Sequence, residues 1–332
     1  RRTTAWRATL YLGLASMVLL AALLMIGTQA GFTFSGLKDF MASGRELAHA
    51  ELIGALLIAG FGTLISLFPF HSWAAPAYAS APAPVAMMHA GVLKKFGLYG
   101  LFMFQPLMET GFLPWTNILL VLLVCNVIWV GYVTVNQKRL DLLLGNSSVM
   151  HMGYIFLAFA ALVVSGSAEA NPWALKGAAL LMLAHGLTIA LLFLLCGQIE
   201  KQTGTLEINS LGGLSTRLPR MAFVFGLAGM ASIGLPGLAN FPGEFMVFFS
   251  GFAGFSNGFG PVQIATILCL WGLVIGAVYM LRAYRNIFQG DLSKASAYAT
   301  GLQPSERAAN CFLVIALAVF GFFPTLVLQF FS

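Results

Sequence analysis

Two adjacent lysines, Lys94 and Lys95, stand in PVAMMHAGVLKKFGLYG (residues 84–100), a stretch that otherwise reads as apolar helix. His151 in SSVMHMGY, His185 in LMLAHGLTIALLF and Glu244 in GLPGLANFPGE have equally apolar surroundings. An ionisable side chain deep in an apolar span costs at least ~2.5–3.5 kcal/mol, so such residues face a protein interior or water. The chemistry they share is proton handling. Burial disfavours the charged form of an amine and of a carboxyl alike, which brings both towards working pH, and imidazole begins near it. A row of Lys95, His151, His185 and Glu244 can therefore exchange protons with modest changes in hydration or neighbouring charge.

Each residue also has a structural reading. A lone intramembrane histidine can simply hydrogen-bond a neighbouring helix. Glu244 follows Pro242 at the start of a half-helix, beside the partial positive charge of that start, and can equally clamp a broken helix. Lys94 and Lys95 are about 100° apart on a helix, which sets them towards different surroundings. Lys95 is expected in the path, and Lys94 is secondary, free to snorkel or to meet a carbonyl. His71 lies at the end of its span, where it can take in protons; His89 is the weaker candidate there.

The elements that must hold these residues are membrane helices. Of 332 residues only 8% are charged and 59% are hydrophobic, with mean hydropathy +0.88. A soluble domain carries roughly a quarter charged residues, so the chain is read as an all-α integral membrane protein, one membrane domain over 1–332. Spans need about 20 mostly apolar residues, and nine stretches qualify: 8–28, 50–68, 84–104, 116–136, 142–165, 173–197, 220–255, 262–284 and 308–330. The seventh contains GLPGLANFPGE, whose Pro236, Gly237, Pro242 and Gly243 should break it into two half-helices around an unwound centre. Irregular backbone at that depth must be buried in protein or line a water-filled cavity. SWAAPAYASAPAP (72–84) reads as a Pro/Ala-rich connector with a short half-helical start.

The formal charge of +6 is not a nucleic-acid signal, because the basic residues are spread along the chain and sort by side. Arg1, Arg2, Arg7, Lys138, Arg139, Lys201, Arg217, Arg220, Arg282, Arg285, Lys294 and Arg307 fall on the N-terminal side, against Lys38, Arg45 and Lys176 on the other. The N-terminal side is therefore expected to be cytoplasmic or its equivalent. Cys125, Cys196, Cys269 and Cys311 lie far apart in apolar runs and read as small packing residues. No Gly-rich dinucleotide fingerprint or cysteine ligand set is found, so no nicotinamide, quinone, flavin or iron–sulfur cofactor is expected in this chain. The chain begins RRTTAWRATL and enters an apolar run at once, which reads as a start within a longer protein and not as a cleavable leader.

Four stretches carry a resemblance. FPFHSWAAPAYASAPAPVAMMHAGVLKKFGLYGLF (68–102), LMLAHGLTIALLFLLCGQIEKQTGT (181–205), INSLGGLSTRLPRMAF (208–223) and GLPGLANFPGEFMVFFSGF (234–252) resemble, in order, the most recognisable segments of the antiporter-like subunits of respiratory complex I. Glutamate at 244 points to the M-type, or mitochondrial subunit 4-like, branch. The resemblance implies a 14-helix fold with two inverted five-helix repeats, of which this chain would hold the last nine helices. By position, Lys95 matches the family's lysine after the P-x-H-x-W segment, thought to relay protons between half-channels. His151 and His185 match polar residues of the central hydrated axis, and Glu244 matches the terminal group of the outward half-channel. Leu64 departs from the pattern, since the family places a lysine there. So do KRLDLLLGNSSVMHMG, which lacks the common D-x-K-[RK] order, and SWAAPAYAS, which lacks the usual carboxylate. These departures favour a partly retained or differently coupled proton path over a complete pump.

The expected function is proton translocation within a complex I-type NAD(P)H or ferredoxin:quinone oxidoreductase in an energy-coupling membrane. Redox chemistry would be confined to partner membrane-complex subunits, and lipid would surround the chain. One alternative is an Mrp-type or inorganic-carbon-linked cation/proton transport subunit, with Na+ as the other cation. Another is a non-pumping membrane scaffold, for which Leu64 is the best argument.

Overall fold

The computed structural model describes residues 2–253 and 258–331. Arg1 and residues 254 and 255 of the seventh stretch, both used above, lie outside the described residues. The described chain is helical: α1 (Arg2–Ala30), α2 (Phe34–Ala42), α3 (Ala50–Ile65), α4 (Ala74–Ser80), α5 (Ala83–Met88), a π-helical turn (His89–Leu93), α6 (Lys94–Phe104), α7 (Glu109–Phe112), α8 (Thr116–Val135), α9 (Leu140–Ser165), α10 (Pro172–Thr203), α11 (Pro219–Ser232), α12 (Asn240–Ser250), α13 (Pro261–Phe288), α14 (Pro304–Phe322) and α15 (Thr325–Leu328).

Among the described residues six helices are long and apolar enough to cross a membrane: α1, α8 with the residues from Thr110, α9, α10, α13 and α14. The other three apolar stretches fold differently. Residues 50–65 form a 16-residue helix, 83–104 run through the π-helical turn, and the seventh stretch is broken. Nine single-helix crossings is thus a count that helix length does not establish. The ninth stretch is also shifted: its helix starts at Pro304 and ends at Phe322, two residues before Pro324, which cannot donate to a continuing helix.

Position in the bundle follows from polarity. α9 carries GNSSVMHMGY and is the central helix, with 94% of its apolar window buried, against 22% for α1 and 11% for α14. It packs against α4, α8, α10, α12 and α13. Outer helices present side chains such as Leu14, Phe312 and Phe322 outward, a surface suited to lipid. Two apolar clusters fill the interior. One includes Ile53, Leu57, Leu123, Phe156 and Phe159; the other includes Trp73, Leu143, Leu192, Phe225 and Phe288. On α9 the change from one to the other falls between Met150 and Met152, and on α10 between Leu181 and Ala184. His151 and His185 therefore sit on the seam between two dry cores.

The broken helix shows why its residues are where they are. α11 ends in a Schellman arrangement: Gly234 N donates to Ala231 O and Leu235 N to Met230 O, at 3.1 and 3.0 Å. Gly234 has φ +78°, and a Cβ built there would overlap Glu244 Oε2. Pro236 and Gly237 (φ +92°) lie in the break at 233–239. Pro242 and Gly243 do not belong to it. They fall in the first turn of α12, where proline is tolerated because those N–H groups have no intrahelical partner, and Gly243 packs on the backbone of Leu181.

Candidate functional site

Glycine positions the first pair of groups. Gly91, in the π-helical turn, and Gly186, beside His185 on α10, meet backbone to backbone: a Cβ at Gly186 would lie 2.7 Å from Gly91 O. This approach brings α6 close enough for Lys95 Nζ to stand 3.2 Å from His185 Nδ1. Lys95 Nζ also donates to Ala90 O, within the same turn. Both side chains are buried. An ammonium only donates, so beside it Nδ1 accepts and the neutral ring carries its proton on Nε2.

The histidines are neighbours across α9 and α10, with ring centroids 5.2 Å apart. His151 ties α9 to α11. Its Nδ1 meets Ser147 O at 2.8 Å and its Nε2 meets Ser232 O, the last residue of α11, at 2.9 Å. Two carbonyls face one ring, so an imidazolium fills both bonds and a neutral ring fills one.

Towards Glu244 the polar groups continue without a direct hydrogen bond among the described residues. Tyr154 packs edge-on to His151, centroids 5.5 Å apart, and lies within electrostatic reach of Glu244. Its hydroxyl has no protein partner. Thr188, one turn after His185, meets the Asn240 side chain at 2.9 Å; Asn240 lies one turn before Glu244. The buried Glu244 carboxyl has the Asn240 side chain within reach and, among the described residues, Glu244 Oε1 makes no further bond to protein, the kind of group that water satisfies when the site is polar enough. Tyr279 OH bonds Ser147 Oγ at 2.7 Å. Sequence reasoning missed Tyr154, Thr188 and Asn240, although each lies three or four residues from a chosen residue, on the same helix face.

Lys94 takes the second of its two expected settings and meets a carbonyl. It is only 1% exposed, against 8% for Lys95, so it does not snorkel. Its Nζ donates to Ser148 O at 3.4 Å and lies 5.7 Å from the centre of the Tyr78 ring. His71 is half-buried, stacks on Phe68 and lies within electrostatic reach of Lys94.

Charge balance is unusual. The described residues hold two ion pairs, Arg139–Asp141 and Lys201–Glu306, both 2.7 Å. Arg139, in the loop before α9, is held above its ordinary value by its hydrogen bond to Asp141. Neither pair involves Lys94, Lys95 or Glu244, so the buried ionisable groups balance one another only through polar neighbours. A proton can pass between an amine and an imidazole at hydrogen-bond distance, and through water across the longer gaps.

The chain as a whole is similar to known proteins. The family described as NADH:quinone oxidoreductase/Mrp antiporter, transmembrane, matches residues 1–268. NAD(P)H-quinone oxidoreductase chain 4 1 of Synechococcus elongatus is 36% identical over 99% of this chain and 60% of its own length. NAD(P)H-quinone oxidoreductase chain 4 2 of Microcystis aeruginosa is 34% identical over 94% of this chain and 55% of its own length. A chain of respiratory complex I from Thermus thermophilus with bound NADH superposes with TM-score 0.87 at 26% identity, covering 100% of this chain and 67% of that one. A chain of the Mrp complex from Dietzia sp. shares the fold, with TM-score 0.79 at 18% identity over 99% of this chain and 66% of that one. The chain spans about 60% of the length of the curated relative from Synechococcus elongatus. With a match over residues 1–268, the chain belongs to the NADH:quinone oxidoreductase/Mrp antiporter transmembrane family.

Proposed function

We propose that this chain is a proton-translocating, antiporter-like subunit of a complex I-type NAD(P)H or ferredoxin:quinone oxidoreductase. Relatives named as chain 4 of NAD(P)H-quinone oxidoreductase support the assignment. The observation that carries the mechanism is the buried contact of Lys95 Nζ with His185 Nδ1 beside His151, on the seam between two apolar cores. Lys95 gives a proton to His185 Nδ1 and becomes a neutral amine. The proton moves by way of water past His151, Tyr154 and the Thr188–Asn240 pair to Glu244, which releases it outward. His71 and Lys94 lie on the intake side.

The driving energy comes from electron transfer in partner subunits of the same membrane complex. It reaches this chain as a change in hydration or charge beside the Lys95–His185 pair. The protein resides in an energy-coupling membrane with its N-terminal side cytoplasmic or equivalent. The test is proton pumping by the assembled complex carrying Lys95→Ala or Glu244→Gln. Loss of pumping with assembly retained is expected; intact pumping in both variants refutes the reading.

A second reading, Mrp-type cation/proton exchange, is favoured by the shared fold of the Mrp complex chain. Sodium-dependent proton movement in vesicles without any electron donor would support it.

A further inference from the structure

We infer that Lys94 is a second proton-holding amine, seated in its own hydrated chamber, and that it hands its proton to Lys95. This rests on the pathway reading for the direction of transfer; the chamber itself does not.

The chamber lies where the end of α3, α4, the π-helical turn and α9 meet. Lys94 Nζ has three N–H groups and, in the protein, one distant carbonyl, Ser148 O at 3.4 Å, and the face of Tyr78. No ion pair reaches it among the described residues. Around it, Ser148 Oγ, His71 Nδ1 and His89 Nδ1 are buried atoms without a protein hydrogen-bond partner among the described residues, and Tyr78 OH and Ser66 Oγ have only each other. Tyr78 interacts with Ser66, its ring lies 5.4 Å from that of His89, and both His71 and His89 are within electrostatic reach of Lys94. The remaining unpartnered atoms of this kind belong to Tyr154, Asn171, Asn240 and Glu244. A native interior keeps such groups paired with protein or with ordered water. Their concentration around one amine marks a place that holds water.

The local backbone is built for this opening. α3 ends in a Schellman arrangement, Leu67 N donating to Gly62 O at 2.7 Å, but the residue at the left-handed position is Ser66 (φ 73°) and not glycine. A serine held there, its hydroxyl facing only Tyr78, is backbone strain of the sort found at working sites. Lys94 brings an amine to this end of α3 from the neighbouring helix, by way of Tyr78 and Ser66.

Lys94 and Lys95 are successive residues with different partners, the first towards Ser148 and Tyr78, the second towards Ala90 O and His185. Two adjacent buried ammoniums repel, so one proton shared between the two amines satisfies both pockets in turn. Lys94 takes a proton from chamber water and passes it to the neutral Lys95 amine. Lys95 in turn is recharged after giving its proton to His185.

The experiment has two arms, both on the full-length protein in its native complex. In a background with Cys125, Cys196, Cys269 and Cys311 replaced by alanine, Lys94→Cys, Ser148→Cys and Val247→Cys are labelled with a small cationic thiol reagent from the N-terminal side. Val247 is fully buried in apolar core. Labelling at Lys94→Cys or Ser148→Cys at least ~10-fold faster than at Val247→Cys is expected, because thiol reactivity follows access and thiolate fraction. Labelling of both no faster than Val247→Cys overturns the chamber. In the second arm Lys94→Arg keeps the charge but cannot deprotonate. Slowed pumping in both Lys94→Arg and Lys94→Leu, in assembled complex, supports the relay. Wild-type pumping in Lys94→Arg overturns it. If Lys95→Ala stops pumping and Lys94→Leu does not, this inference alone fails; if Lys95→Ala pumps normally, the pathway reading fails with it.

Discussion

Lys95 meets His185 because Gly91 and Gly186 carry no side chains. The 2.7 Å separation between a Cβ at Gly186 and Gly91 O is shorter than two such atoms tolerate, so any side chain at 186 pushes the π-helical turn away from α10. Gly186→Ala is expected to lengthen the Lys95–His185 contact and to lower stability by about 1–3 kcal/mol, the range for overpacking. Gly13→Ala, with nothing within 4 Å of its Cβ, is the control. Thermal melting and pumping of the two variants check this: the first should lose both, the second neither.

Gly234 makes room for the Glu244 carboxyl. Its φ of +78° strains any other residue, and its Cβ would overlap Glu244 Oε2. Gly166 has a similar φ of +81° with open space around it. Gly166→Ala should cost about 1–2 kcal/mol from backbone strain alone. Gly234→Ala should cost clearly more and should also displace Glu244. Equal melting shifts in the two variants would contradict the packing of the carboxyl on this turn.

His151 bonds the end of the broken helix to the central helix through Ser232 O, and its own helix through Ser147 O. Ser147 O keeps the backbone N–H of its own helix, but Ser232 O at the end of α11 loses its side-chain donor, at about 1–3 kcal/mol for a buried group left unsatisfied. His151→Phe should therefore loosen α11 from α9. Faster amide exchange at residues 230–235, with α3 unaffected, is the expected sign.

α14 is mostly exposed, yet it is fixed by a buried reciprocal amide pair. Gln198 Nε2 donates to Asn310 Oδ1 at 3.1 Å and Asn310 Nδ2 to Gln198 Oε1 at 3.0 Å. Asn310→Leu alone strands a buried amide and should cost about 1–3 kcal/mol. Adding Gln198→Leu should recover part of that loss, a coupling readable in a double-mutant cycle of melting temperatures. The exposed Lys201–Glu306 pair should contribute under about 1 kcal/mol.

Much of this was legible in the chain itself. GLPGLANFPGE announced a break because its two prolines and three glycines disfavour a continuous helix; Pro242 was misplaced because proline fits a first helical turn as well as a loop. His151, His185 and Lys95 were legible from the cost of burying them. Lys94 was legible only as a choice between the surface and a carbonyl, and it is Ser148 O on α9 that decides it. Tyr154, Thr188 and Asn240 went unnoticed because tyrosine, threonine and asparagine are ordinary in membrane helices. Only the position of each beside a chosen residue, three or four along, distinguishes it.

The central claim is that a proton leaves Lys95 for His185. Counting protons translocated per electron pair by the assembled complex with Lys95→Arg tests it most directly. Arginine preserves the charge and the reach to Ala90 O but holds its proton. The account predicts a lower ratio with the complex intact; a ratio equal to that of the wild type would contradict it.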